Sequence, residues 1–207
     1  MKSIKPEKKD LGRAGLIIVT AQKRFGIYGL EKTSMREIAQ DLGISKASLY
    51  YYFPDKESLY KAVLEKEQAE FIRNITVKAS EIDDPELLLR EYVLTRLGYF
   101  RTLVNLSRMR LESFSDIKPL LRSSMQEFRE REKTIIKTVF EKGVHSRVFN
   151  EMDVEDTAGL FLDLLKGLRS TVVNDKSIIA IDQEEFEKLA NKTLAFTKIF
   201  TDGLKRK

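Results

Sequence analysis

Apolar residues recur every three to four positions along almost the whole chain, and strict alternation is scarce. The pattern predicts an all-α fold of about nine helices with no sheet. The first helix is expected over 8–26, where Leu11, Ala14, Ile18, Ala21 and Phe25 share a face and Gly26 and Gly29 supply stop and turn signals. A short helix over 34–42 follows. Its Ser34-x-x-Glu37 start is a capping box, in which the serine oxygen takes an early backbone N–H and the glutamate reaches back. Gly43 ends it, Ser45 caps a second short helix over 46–52, Pro54 stops that one, and Asp55 caps a long helix over 56–79. Further helices are expected over 85–105, as a short segment at 106–114, as a long helix started by Ser115, Asp116 and Pro119 with Leu121, Met125, Phe128, Ile135, Ile136 and Val139 on one face, then over 154–173 and 183–204. Residues 143–153 read as a loop that holds His145, an ordinary loop histidine on this reading.

The most informative stretch is 33–56, TSMREIAQDLGISKASLYYYFPDK. It is two short helices joined at Gly43, which adopts positive φ without penalty. Ala39 is small enough for a close crossing, and Ile44 and Leu49 are spaced to plug the core behind the turn. That is helix-turn-helix geometry, in which the second helix enters the major groove by its N-terminal end. Lys46, Ala47 and Ser48 stand on the first turn of that helix: lysine reaches guanine O6 and N7, serine bonds donors or acceptors, and alanine meets a thymine methyl. Tyr50, Tyr51 and Tyr52 point about 100° apart, so all three cannot be buried, and phosphate contact is a natural use for an exposed phenol. Lys56 begins the next helix, where the positive dipole end also favours phosphate. Phe53 reads as core.

Composition narrows the chemistry. With 42% hydrophobic residues, 207 residues suffice for a real core, as one large domain or two small ones. The expected division is 1–55 for DNA binding and 56–207 for ligand binding and dimerisation. No apolar run reaches the roughly 18 residues a membrane span needs, and residues 1–6 lack a signal peptide's apolar stretch, so a cytoplasmic location is expected. The absence of cysteine removes disulfides, thiolate catalysis and zinc–thiolate sites, and a single histidine leaves no metal site or cofactor to expect. No nucleophile elbow or phosphate-cradling glycine loop occurs, and Glu81, Asp83 and Asp84 read as a helix-capping turn before Pro85, so no enzyme is expected. The net charge is +5, and residues 1–60 carry 11 basic against 7 acidic side chains while the remainder is nearly balanced. A basic N-terminal third on a neutral body is the footprint of a phosphate-binding module.

The motifs between Ala14 and Val63 resemble the TetR family of bacterial transcriptional regulators. They comprise Phe25-Gly26-Ile27-Tyr28-Gly29-Leu30, Thr33-Ser34-Met35-Arg36-Glu37-Ile38-Ala39, the run from Leu42 to Phe53, and Lys56-Glu57-Ser58-Leu59. The resemblance implies that Ser34 and Arg36 touch backbone or bases, that Lys46, Ala47 and Ser48 form the base-reading turn, that Tyr50 and Tyr51 meet thymine methyls and phosphates, and that Lys56 clamps a phosphate; Ser45, the cap of the recognition helix, is a DNA-binding candidate beside them. Tyr52 stands where many relatives carry histidine, and Pro54 where they often carry a polar or basic residue. A phenol still donates to phosphate, but the proline removes one contact.

The resemblance also implies dimerisation and effector sensing by the remaining helices. The residues support the first. Ala158, Phe161, Leu162, Leu165 and Leu168 form one stripe with Leu160 and Leu164 beside it, and Phe186, Leu189, Ala190 and Leu194 form another, extended by Phe196, Ile199 and Phe200. Both arcs are wider than one packing face needs, which suggests a four-helix dimer interface. Such a dimer sets its recognition helices about 34–36 Å apart, so the double-stranded DNA operator is expected to be an inverted repeat. For the effector, Tyr92, Arg96, Tyr99, Phe100, Phe114, Met125 and Phe128 are candidate pocket residues, and Arg96 suggests an apolar or amphipathic, anionic molecule. Release of a repressor by that effector is the favoured reading. The alternative is a dimeric regulator or activator that senses nothing.

Overall fold

In the computed structural model, residues 12–107, 109–173 and 180–206 are described. They form eight helices: α1 (Arg13–Tyr28), α2 (Met35–Leu42), α3 (Lys46–Tyr52), α4 (Lys56–Glu81), α5 (Pro85–Ser107), α6 (Leu111–His145), α7 (Val154–Val173) and α8 (Gln183–Leu204). Their order makes a three-helix head, α1–α3, on a helical body, α4–α8. The expected start of the first helix at residue 8 lies outside the described residues.

Capping chemistry fixes most of the boundaries. The Ser34 hydroxyl accepts from Glu37 N–H at 3.3 Å while Ser34 N–H donates to the Glu37 carboxylate at 2.9 Å. Gly43 closes α2 at φ 66°, Ser45 Oγ accepts from Ser48 N–H at 3.1 Å, and Asp55 accepts from Ser58 N–H at 2.6 Å. Asp84 accepts from the amides of Glu86 and Leu87, so the acidic turn before Pro85 does cap α5. Asp182 and Glu185 form a second capping box at α8.

Three boundaries differ from the expected ones. The first helix runs past Gly26 to Tyr28, and its turn glycine is Gly29, at φ 81°. The segment at 106–114 is no separate helix: its first residues finish α5, and from Leu111 onward it is the start of α6, which continues through Pro119. Proline withdraws one N–H from the ladder, but Phe114, Ile117 and Leu121 on either side pack against the core and hold the helix together. This fusion is why eight helices stand where nine were expected. The third difference is at 143–145, which belong to α6, so His145 is its last residue and not a loop residue. Gly143 is required there, because any Cβ at that position would run into the Phe149 ring. The loop after α6 is then sewn to the chain end by Asn150 N–H to Leu204 O at 2.8 Å and Arg206 N–H to Val148 O at 3.1 Å.

A continuous apolar core runs from Ile17, Ala21 and Phe25 of α1 to Leu189 of α8. Phe71, Tyr92, Tyr99 and Phe128 meet edge-on or tilted across α4, α5 and α6. Across α6, α7 and α8, Phe161 stacks on Phe196, while Phe140 and Phe200 meet that pair edge-on or tilted. No described helix is long and apolar enough to cross a membrane.

Candidate nucleic-acid interface and effector cleft

The head presents α3 on a firm base. Leu49 is fully buried, Ile44 and Phe53 pack on the core, and Met35, Ile38 and Ala39 anchor α2 beneath it. The opposite face of α3 carries Ser45, Lys46 and Ala47, all exposed, with Ser48 half-buried beside them. Tyr51 is 85% exposed, Tyr50 40%, and Tyr52 is half-buried against the core, its ring edge-on to that of Tyr51 with centroids 5.3 Å apart. Lys46 Nζ lies 5.4 Å from the Tyr50 ring centroid, which holds the ammonium along the helix until a better acceptor arrives.

Hydrogen bonding separates the candidate contacts. Ser45 Oγ accepts the cap bond, so its proton is left to donate to a phosphate. Ser34 is different: its hydroxyl donates to Glu37 at 2.8 Å and accepts from the Glu37 amide, so a DNA contact requires that bond to be given up. Those bonds to Ser34, with Arg24 near by, hold the Glu37 carboxyl below the usual glutamate range. Arg36 is exposed on α2. Lys56 is half-buried, and its ammonium donates to Leu30 O at 2.9 Å. It ties the turn after α1 to α4, a structural duty its sequence position did not reveal.

The comparisons with known proteins agree with this geometry. Residues 17–63 match the family described as bacterial regulatory proteins, tetR family. A crystal structure of a transcriptional regulator from Cytophaga hutchinsonii is 36% identical, over 95% of this chain and 100% of that one, with a TM-score of 0.88. This chain belongs to the TetR family of bacterial transcriptional regulators. The TetR-family regulator PfmR from Thermus thermophilus is 26% identical over 92% of this chain and 99% of its own, with a TM-score of 0.60. The HTH-type transcriptional regulator RutR of Escherichia coli is 36% identical over 94 residues, and that stretch spans only 43% of RutR, less than half its length. TetR-family membership makes α2–α3 the DNA-binding helix-turn-helix.

In the body of this TetR-family chain the expected pocket residues separate into three groups. Tyr92, Tyr99 and Phe128 form the aromatic cluster around Phe71 and fill the interior. Phe114 packs on the core beyond them, and Met125 is 42% exposed at the surface. Only Arg96 and Phe100 of the expected set line an actual cleft, which opens between α5, α7 and α8. The cleft holds about 20 Å³, room for about one water molecule.

Glu132, 2% exposed on α6, is the residue that sequence reasoning missed. It accepts from Tyr92 Oη at 2.6 Å and from Arg96 Nε at 2.7 Å. Burial and this carboxylate push the Tyr92 phenol well up. Burial alone would lower the Arg96 guanidinium, but the Glu132 charge, the Tyr92 phenol and the hydrogen bonds to both together outweigh it and raise the group. The partners are 36 residues apart, so no local spacing signals the pair. Arg169 on α7, also missed, has its guanidinium 5.4 Å from the Phe100 ring centroid.

The dimer stripes need correction at named positions. Ala158, Phe161, Leu162, Leu165 and Leu189 are 0–3% exposed, filled by the protomer's own core, and cannot reach a partner. Leu168, Phe186, Ala190, Leu194, Phe196 and Phe200 are half-buried against that core. Among the described residues, the large apolar side chains that α7 and α8 leave outside are Leu160 at 54%, Leu164 at 39% and Ile199 at 72% exposure.

The head and body share a second junction that the sequence did not disclose. Leu30 N–H donates to Ser107 O at 3.0 Å, Tyr60 Oη and Ser107 Oγ are 2.7 Å apart, and Glu31 takes Arg110 N–H and Ser113 Oγ. The end of α5 is therefore pinned to the α1–α2 connection. Burial pushes the Tyr60 phenol up to about 12, so it stays a neutral hydrogen-bonding group.

Proposed function

We propose that the protein is a homodimeric repressor of an inverted-repeat operator, released by a small apolar or amphipathic effector. The observation that carries the dimer is the exposed face of Leu160, Leu164 and Ile199. Leu160 and Leu164 are four residues apart on one side of α7, and Ile199 on α8 has Ala195 and Gly203 four residues away on either side. Added Cβ atoms at Gly167 and Gly203 would meet open space, so the backbones of both helices can approach a second copy closely. Packing α7 and α8 on their symmetry mates would bury this apolar surface and space two α3 helices for successive turns of one DNA face.

In this reading Lys46, Ala47 and Ser48 read bases, Ser45, Tyr50, Tyr51 and Tyr52 hold phosphates or thymine methyls, and Lys56 supports the frame while reaching for phosphate. The functional division falls at residues 55 and 56, with sensing and dimerisation in the body. Effector binding would select a dimer with wrongly spaced heads. The route is α5 as well as α4, because α5 carries Arg96 and Phe100 and ends at the Ser107 junction, roughly 10 Å from Phe100.

Selection of bound DNA from a random pool at fixed salt tests the reading. Enrichment of an inverted repeat is the expected result, and failure to enrich one would remove the dimeric repressor. On the selected site, Lys46→Ala should cost about 1–3 kcal/mol and relax the base preference, whereas a phosphate contact weakens all sequences alike.

A further inference from the structure

Resting on the proposal that the body senses an effector, the charges around the α5–α7–α8 cleft narrow what that effector is. Arg96 and Glu132 neutralise each other. Arg169 makes no ion pair or hydrogen bond among the described residues: its one direct contact is the Phe100 ring, and the Glu132 carboxylate, already paired with Arg96, acts on it only at longer range. The cluster therefore holds two guanidinium groups against one carboxylate, a surplus of one positive charge beside an apolar wall of Val93, Leu97, Leu165 and Leu189. Thr193, the remaining lining residue, already spends its proton on Leu189 O at 2.7 Å and has none left for an anion. We propose that the cleft is a binding site for an amphipathic monoanion, whose carboxylate pairs with Arg169 over Phe100 and whose apolar tail enters between α5 and α8.

The charge count selects the class. A monocarboxylate brings the cluster to neutrality, whereas a neutral amphiphile leaves Arg169 unpaired and a dianion leaves one negative charge over. Burial and the nearby Arg96 charge lower the Arg169 guanidinium to about 10, so it remains charged at neutral pH yet gains from a new counter-ion. The cleft is too small for a tail as it stands, so binding must part α8 from α5. The groups that hold these helices together at one end are exposed and weak: Arg101 donates to Gln183 at 2.9 Å and lies 4.9 Å from the Phe186 ring centroid. Opening there moves α5, which is pinned to the head at Ser107.

Calorimetric titration of the full chain with decanoate, decanol and decyl phosphate tests the site. Decanoate is expected to bind, with decanol and decyl phosphate at least about tenfold weaker, and Arg169→Gln is expected to lower decanoate affinity about tenfold while leaving decanol unchanged. Arg169→Lys, which keeps the charge, should retain the preference for decanoate over decanol. Thermal unfolding of both variants checks that they are folded; Arg169→Gln removes an uncompensated charge and should unfold no earlier than the parent. Absence of decanoate binding, equal binding of decanol, or full binding by folded Arg169→Gln would each overturn the proposal. Operator affinity, measured with and without decanoate, is read separately. Arg169-dependent binding without any change in operator affinity upholds the anion site and removes effector release.

Discussion

The head and the body of this molecule use polar groups in opposite ways. In the helix-turn-helix the polar contacts that shape the chain are local: Ser34 with Glu37, Ser45 with Ser48, Asp55 with Ser58, each three residues apart and exposed. In the body the decisive contact is buried and distant, with Glu132 of α6 joining Tyr92 and Arg96 of α5. Local caps set where helices start and leave the outer face of α3 free to meet a ligand as large as DNA. The buried network sets how helices sit against one another, and its surplus guanidinium marks where a small ligand would enter.

The largest expected effect comes from cutting the buried network. Glu132→Ala would leave Arg96 unpaired and next to Arg169, and should cost about 3–5 kcal/mol in urea unfolding at fixed protein concentration. Removing both partners, as Glu132→Leu with Arg96→Met, should recover much of that loss. If the single change costs no more than a surface substitution, the contrast between buried and local polar contacts is wrong.

Next comes the face that neither region uses within one protomer. Ile199→Glu puts a charge in the middle of the exposed apolar surface of α7 and α8. Sedimentation is expected to show a dimer for the parent and a monomer for the variant, and operator affinity should fall by about a hundredfold or more because two linked heads would become one. Unchanged sedimentation would move the interface elsewhere.

The same contrast explains what could be read from the chain. The caps at Ser34, Ser45 and Asp55 involve neighbours three residues away, so their spacing announces them, and the TetR-family motif lies in one unbroken stretch. Pro119 misled because proline is a strong local breaker, while the packing that carries α6 through it is tertiary. The stripes on α7 and α8 had the right periodicity, but periodicity does not say which apolar arc the protomer's own core takes. Arg169 carries no local mark at all, since its environment is assembled from α5 and α7. On the head side, Ser45→Ala should cost about 1 kcal/mol of stability, the ordinary value of an N-cap, and should be seen as a small loss in thermal unfolding.

The smallest effect is expected at the seam between the two regions. Glu67 on α4 is 8% exposed and accepts from the Gln22 side chain of α1, while Lys66 bonds Gln22 and Glu70. Burial, aided by the Glu70 charge, raises the Glu67 carboxyl above its ordinary value and outweighs Lys66. A carboxyl raised on folding favours the protonated native state. Its contribution is thus fully present below the unfolded-state pKa and is lost as pH rises through the raised value, so at neutral pH the ionised group opposes folding. Glu67→Gln keeps an acceptor for Gln22 and removes the charge. It should raise the unfolding temperature slightly at neutral pH, and the gain should shrink towards zero as the pH falls below the ordinary glutamate range. A gain of equal size at both pH values would mean that Glu67 acts through packing and not through its charge, and the seam would then behave like the apolar core on either side of it.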